Sequence, residues 1–167
     1  MGQQHARLGR TALLAIPTIR IAVLGKPAPK GSMKSFGRGR MVDSLKSTKP
    51  WGAEIVIEAA RARDLAGWEM LLGAVTVECV AITPRPKSVK REYPIKRSAG
   101  DIDKLARNLL DALVNAHIMA DDSQVIDLRM LKLYPRDASE VDGGMFIRVS
   151  EYRNATETTT ETLGKAA

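Results

Sequence analysis

The chain has one cysteine, few aromatic residues and no long apolar run, and each scarcity excludes a class of protein. Cys79 alone cannot form an intramolecular disulfide, which fits a reducing compartment better than secretion. No apolar run approaches the ~20 residues of a membrane-spanning helix, and the short ALLAI patch near the start is not a signal-peptide core. We therefore expect a cytoplasmic protein that does not span a membrane.

Acidic residues are scarce in the first part of the chain, although the composition is otherwise that of a globular protein. The net charge is +7, and residues 1–50 carry ten Lys or Arg against one Asp. Residues 101–167 reverse this balance, with eight basic and twelve acidic residues. A basic half predicts a surface that attracts a polyanion, and an acidic half predicts a site for something cationic. The alternative is a solvated surface that happens to be basic.

Apolar periodicity and turn residues divide the chain into strands, two helices and two basic loops. The predicted strands cover residues 18–24, 41–44, 73–82, 124–134 and 145–152, and the last two form a hairpin around Asp142-Gly143-Gly144. The predicted helices run from about Pro50 to Gly67 and over 102–116, and the basic loops cover 25–40 and 85–100. This order predicts an α+β fold in which two main helices pack on a mixed β-sheet, with the order β-β-α-β-α-β-β.

The ends of the chain differ in composition from its middle. We interpret residues 1–17 as a flexible leader and residues 153–167, which lack apolar character, as a disordered tail. The remaining residues, 18–152, form one predicted domain.

Five aspartates lie within 23 residues around the second predicted helix, and they are Asp101, Asp103, Asp111, Asp121 and Asp122. Capping the helix needs one carboxylate at its start, so two pairs exceed that need. The two pairs can meet only if the segment after the helix folds back along it. Carboxylates that meet would need a cation, and oxygen ligands suit Mg²⁺ or Mn²⁺. Next to a polyanion-binding surface, such an ion indicates phosphodiester chemistry.

The helix also places Asp103, Arg107 and Asp111 on one ridge at spacings of four residues. One interpretation is a ladder of surface salt bridges. The other is that Arg107 contacts the scissile phosphate, one turn from the carboxylates, while Asp111 stays structural.

Two motifs make the chain similar to a known family. Residues 101–113 read D-I-D-K-L-x-R-x-x-x-D-A-L, residues 119–125 read M-A-D-D-S-Q-V, and PAPKGS stands at 27–32. This pattern resembles the RusA family of Holliday junction resolvases, which are crossover junction endodeoxyribonucleases, over roughly residues 18–150. The family consists of small homodimeric, Mg²⁺-dependent nucleases of bacteria and phages that cut branched DNA by paired nicks.

The resemblance implies a function and a set of site residues. It implies a Mg²⁺-dependent, structure-selective endonuclease (with Mn²⁺ as a substitute) in DNA recombination and repair, encoded by a phage or prophage. Its catalytic, metal-binding carboxylates would be Asp101, Asp103 and Asp122, with Asp121 as a further metal neighbour. Arg107 stands where the family prefers a catalytic lysine, and Lys104 stands where it prefers asparagine. The expected DNA contacts are Lys26, Lys30, Lys34, Arg38, Arg40, Arg85, Lys87, Lys90, Arg91, Lys96 and Arg97.

Two other functions fit the same residues. The changes at positions 104 and 107 permit a catalytically impaired protein that binds branched DNA without cutting it. A small Mg²⁺-dependent nucleotide hydrolase would explain the carboxylates but not the basic first part of the chain.

Overall fold

The computed structural model describes residues 16–30, 33–35, 41–43, 48–96, 99–136 and 143–153, with backbone alone for 33–35, 41–43 and 48–50. The strands are β1 (Thr18–Leu24), β2 (Met33–Ser35), β3 (Met41–Asp43), β4 (Val75–Ile82), β5 (Val125–Leu133) and β6 (Gly144–Glu151). The helices are α1 (Thr48–Ala66) and α2 (Ile102–Asn115), and a short 3-10 turn covers Asp122–Gln124. The predicted leader up to residue 15 and the predicted tail from residue 154 lie outside the described residues.

Four strands form one mixed sheet in the order β1-β6-β4-β5. β6 is antiparallel to both of its neighbours, whereas β4 and β5 run parallel. β2 and β3 pair with each other in a separate two-stranded sheet. A mixed sheet with two helices confirms the predicted α+β class.

Both helices pack on one face of this sheet, where the core lies. Every second residue of β1 and β4 is buried, among them Ile21 and Val77. The helices contribute fully buried side chains such as Ile55 of α1 and Leu109 of α2 to the same cluster. The alternation in the strands and the helical spacing in α1 and α2 therefore bury one stripe of each element.

A glycine and a long-range hydrogen bond mark where the two helices end. α1 ends before Gly67, whose φ of +58° is the left-handed conformation that favours glycine after a helix. α2 ends at Asn115, where the Arg63 guanidinium donates to the Ala116 carbonyl at 2.9 Å. A cation at this position also complements the negative end of the helix dipole.

The predicted hairpin between β5 and β6 is wrong. β6 lies between β1 and β4, and β5 pairs with β4 alone among the described strands. The physical reason is the crossover through α2, which returns the chain to the end where β4 begins and makes β5 parallel to β4. The first basic stretch also contains β2, a strand that the sequence did not predict.

Cys79 faces the core from β4 and is 3% exposed. Burial raises the pKa of its thiol to about 12, so the thiol stays protonated and inert. In the part of the chain that the structure describes, no helix is long and apolar enough to cross a membrane.

Candidate functional site

The first turn of α2 carries Asp101 and Asp103 side by side. Asp101 is the N-cap residue with extended backbone, yet its side chain accepts no capping hydrogen bond. Its Oδ2 instead lies 2.8 Å from the Lys104 ammonium. Asp103 is exposed and has no ion pair with any side chain that the structure describes. A side-chain cap therefore does not explain Asp101, while Asp103 lies in the first turn, near the positive end of the helix dipole.

The loop after β1 is fastened to α2. The Lys30 N–H donates to the Lys104 carbonyl at 3.0 Å, and the Lys30 ammonium pairs with Asp111. Gly100, with φ of +79°, packs so closely on Pro29 that a Cβ atom there would meet the proline ring at 2.9 Å. The loop and the start of α2 therefore form one rigid unit next to Asp101.

These contacts decide against the salt-bridge ladder, which was one of two interpretations of the ridge on α2. Asp111 pairs with Lys30 and not with Arg107, so the ladder through Arg107 does not form. Arg107 is exposed and has no ion pair within the described ranges. The structure thus keeps Asp111 in the structural role predicted for it. The DNA contact expected of Lys30 stays a prediction. In this structure the Lys30 ammonium is paired with the Asp111 carboxylate.

Asn108 is a supporting residue that sequence reasoning missed. It lies on the buried side of α2 with 5% exposure, and its amide donates to the Ala28 carbonyl at 3.0 Å. Its Oδ1 is 3.0 Å from the point where Gly52 of α1 would carry a Cβ. A polar residue at a core position of an apolar helix was the available signal.

We expect Asn108→Ala to lower the free energy of unfolding by about 1–3 kcal/mol, because it leaves a buried carbonyl without a donor. Urea denaturation followed by circular dichroism measures this change. Asn115→Ala, at the exposed end of the same helix, is the matched control and should change stability much less. Equal effects of the two substitutions would contradict the role given to Asn108.

The described parts of both basic loops, residues 25–30 and 85–96, lie at the same end of the sheet as Asp101. β1 and β4 both end opposite Gly144, where β6 begins, and the second basic loop runs from there to the start of α2. Lys132, near the end of β5, donates to the Gly100 carbonyl and ties this strand to the same place. Among the described residues of these loops, the exposed cations are Lys26, Arg85, Lys87, Lys90, Arg91 and Lys96.

Arg85 is held in place among these cations. Its guanidinium lies 5.0 Å from the centre of the Tyr134 ring and donates to the Glu92 carbonyl at 3.2 Å. Such cation–π contacts orient a guanidinium while leaving its charge available. The side chain of Lys34 and all of Arg38, Arg40 and Arg97 lie outside the described residues.

The two helices run roughly parallel and begin at this end. Gly52 of α1 faces Asn108 of α2, and Arg63 near the end of α1 contacts Ala116 after α2. The positive ends of both helix dipoles therefore add to the charge of the loops. The end of the sheet near Asp101 thus carries several exposed cations together with the carboxylates of Asp101 and Asp103.

Asp121 and Asp122 lie at the opposite end. The Asp121 carboxylate accepts from the Ser123 N–H at 2.9 Å and caps the 3-10 turn. The hydrogen bonds from Ser123 lower the pKa of Asp121. Gln124 donates to the Leu71 and Gly73 carbonyls, which fixes this turn where β4 begins. Asp122 is exposed beside it.

The two carboxylate pairs are therefore separated by the length of α2. A helix of 14 residues spans about 20 Å, and the segment after it does not fold back, because Ala120 bonds to Leu71 near the start of β4. No group of three or more His, Cys, Asp or Glu side chains that could hold a metal ion occurs among the residues described here. One subunit thus does not bring Asp101 and Asp103 to Asp122, and the metal-binding roles of these residues stay predictions.

Comparisons with known proteins agree with the motifs in this region. The model of the family described as endodeoxyribonuclease RusA matches residues 25–142, which include both basic loops, α2 and β5. The uncharacterized protein YqaN of Bacillus subtilis (strain 168) is 30% identical over 133 residues. That match covers 71% of this chain and 89% of the relative.

Proposed function

Because this chain belongs to the RusA family of endodeoxyribonucleases, we propose that it resolves Holliday junctions and other branched DNA by paired nicks. The observation that carries this proposal is that the described parts of the two basic loops lie at the same end of the sheet as Asp101 and Asp103. The loops supply charge that can bind phosphates, and the carboxylates lie at the same end of the sheet. DNA recombination and repair in a bacterial cytoplasm, for a phage or prophage gene, is the setting that we propose.

The proposed active form is a homodimer. A divalent ion does not fit the carboxylates of one subunit, because Asp122 lies about 20 Å from the start of α2. A second copy can supply its own Asp122 to the Asp101 and Asp103 of the first. Such a site would suit Mg²⁺ or Mn²⁺, which when bound activates water and neutralises charge on a phosphate. The symmetry of a dimer also provides two sites, as paired nicks require.

We expect Asp101→Asn to abolish nicking of a synthetic four-way junction in Mg²⁺ while junction binding remains. The substitution removes one negative charge at the start of α2 and keeps the shape of the side chain. Gel assays of binding and of strand cleavage measure the two effects separately. Glu58→Gln, on the outer surface of α1 with a weak 3.8 Å contact to Arg61, is the control. Full cleavage by Asp101→Asn would show that this carboxylate has no catalytic role.

A second candidate is a protein that binds junctions without cutting them. Lys104, where the family prefers asparagine, places its ammonium 2.8 Å from Asp101 and so competes with any cation there. Tight binding without cleavage in either Mg²⁺ or Mn²⁺ would favour this candidate. Both functions predict binding that weakens steeply with salt, because each neutralised phosphate releases counterions.

A further inference from the structure

Two large apolar side chains are exposed on the second basic loop, where the predicted DNA contacts are all cations. Tyr93 is 54% exposed and Ile95 is 72% exposed. Pro94, which lies between them, is fully buried. The loop therefore presents two apolar groups to solvent on either side of an anchored residue, and contacts with phosphates alone do not account for them.

The described part of the loop is held in one shape around these side chains. The Ile95 N–H donates to the Tyr93 carbonyl at 2.9 Å, so the chain turns tightly at Pro94. One residue earlier, the Glu92 carbonyl accepts from the Arg85 guanidinium at 3.2 Å, which fastens the segment to the residues that follow β4. Side chains on such a fixed frame lose less conformational entropy when they bind a partner than side chains on a mobile loop.

The charge around Tyr93 and Ile95 indicates the kind of partner. Residues 85–96 contain five cations against a single acid, Glu92. The five cations are Arg85, Lys87, Lys90, Arg91 and Lys96, and all of them are exposed. A polyanion matches this charge, and a partner for the apolar side chains must also offer apolar surface. Nucleic acid has both, because its backbone carries phosphates and its bases have faces on which apolar side chains stack.

We propose that Tyr93 and Ile95 form a wedge that stacks on bases exposed at the branch point of a DNA junction. The inference deepens the proposed function and rests on it: the cations bind phosphates, and the wedge selects branched over linear DNA. In a continuous duplex a wedge must first unstack a base step, which costs free energy. At a branch point the stack is already interrupted, so the same side chains contact base faces at a lower cost.

The position of the wedge fits the proposed site. The loop continues through the buried residues Ala99 and Gly100 into Asp101 at the start of α2, and Lys132 of β5 donates to the Gly100 carbonyl. Ile95 precedes Asp101 by six residues, which span at most about 20 Å of chain. That length corresponds to about six nucleotides of one DNA strand. A wedge at the branch point would therefore keep a strand close to the branch point within reach of Asp101.

Affinities for two shapes of DNA test the wedge. Tyr93→Ala should weaken binding to a four-way junction about tenfold and leave binding to a linear duplex of the same length within about twofold of the parent. Ile95→Ala should have the same selective effect with a smaller factor, because it removes no aromatic ring. Tyr93→Phe should keep the parent's preference, since the ring stacks and the hydroxyl does not. Fluorescence anisotropy without a divalent ion measures these affinities in the absence of cleavage.

Two control substitutions separate base stacking from charge and from exposed apolar area. Lys90→Gln should weaken binding to both DNAs alike and reduce the salt dependence of each by about one phosphate contact. Leu65→Ala removes an apolar side chain that is 80% exposed near the end of α1, and it should change neither affinity. Because all of these residues are exposed, the variants should keep the parent's circular dichroism spectrum and its midpoint of urea unfolding.

A fluorescent adenine analogue in the DNA reports the base contact directly. At the branch point its emission should change when the parent or Tyr93→Phe binds, and it should not change when Tyr93→Ala binds at saturating concentration. In the middle of a junction arm, where the bases stay stacked, the analogue should not respond to any of these proteins.

The outcomes distinguish the wedge from the proposed function. A parent that prefers and cuts junctions, with the same preference after both alanine substitutions, would overturn the wedge and leave the function. Equal losses of affinity for junction and duplex would also overturn the wedge. A parent that neither binds nor cuts junctions, but binds gapped DNA through Tyr93, would overturn the proposed function and retain a wedge that stacks on exposed bases.

Discussion

A mixture of Asp101→Asn and Asp122→Asn subunits is expected to nick a four-way junction that neither variant nicks alone. In the proposed dimer each site takes Asp101 from one copy and Asp122 from the other. Each variant by itself therefore loses both of its sites. In a mixed dimer one site carries both substitutions and the other carries none, so one site is intact.

The size and kind of the recovered activity are also fixed by symmetry. Random exchange makes about half of the dimers mixed, with one intact site in each, so about a quarter of all sites are intact. A dimer with one site nicks one strand of a junction without the opposite cut. Gels that separate nicked from resolved junctions measure this difference after the two purified variants have been incubated together.

A mixture of Asp101→Asn with Asp103→Asn is the matched control. Both residues belong to the start of α2, so every site of a mixed dimer has lost one of them. This mixture should stay inactive at the same protein concentration. Recovery in the control, or no recovery in the first mixture when subunit exchange is shown with tagged copies, would contradict a site shared between subunits.

The spacing of apolar residues predicted most helices and strands well, because these elements all bury one face in the same continuous core. The alternation of β1 and β4 and the apolar stripe of α2 each bury one face, and the observed elements agree with those patterns to within a few residues. The order of the strands in the sheet was predicted less well from the sequence. A turn at Asp142-Gly143-Gly144 indicated a hairpin between β5 and β6. In the structure the crossover through α2 places β5 on one side of β4, and β6 pairs with the other side of β4.

The sequence predicted which residues belong to the candidate site but not how those residues are arranged in space. Spacing selected the two aspartate pairs, but nothing in the sequence fixed the direction of the segment after α2. That direction depends on bonds to Leu71 from Ala120 and Gln124, between residues about 50 positions apart. The contacts of Lys30 with Asp111 and of Asn108 with Ala28 join residues that are still farther apart in sequence, at 81 and 80 positions. Local patterns do not encode such long-range contacts.

Arg107→Gln is expected to lower the rate of junction cleavage about 10²–10³-fold, the usual cost of removing a donor that stabilises developing charge. Arg107 is exposed, lies one helical turn after Asp103, and has no competing ion pair in the described part of the chain. Its guanidinium is thus available to a phosphate held at the start of α2. Single-turnover cleavage at saturating protein separates this loss from a loss of binding.

The Arg107→Lys variant distinguishes an electrostatic role of the side chain at position 107 from a role in proton transfer. An arginine cannot release a proton in the physiological range, whereas a lysine can when its surroundings lower its pKa. If the role is electrostatic, the lysine variant keeps most of the activity and the rate–pH profile does not change. If the role is proton transfer, the lysine variant gains activity, because this chain would lack the required group. Arg61→Gln, an exposed arginine on α1, controls for loss of charge alone, and an equal loss there would remove Arg107 from the site. We expect the electrostatic outcome. Asp103, one turn before Arg107, has no ion pair among the described residues, so the Arg107 guanidinium keeps its charge and can bind a phosphate.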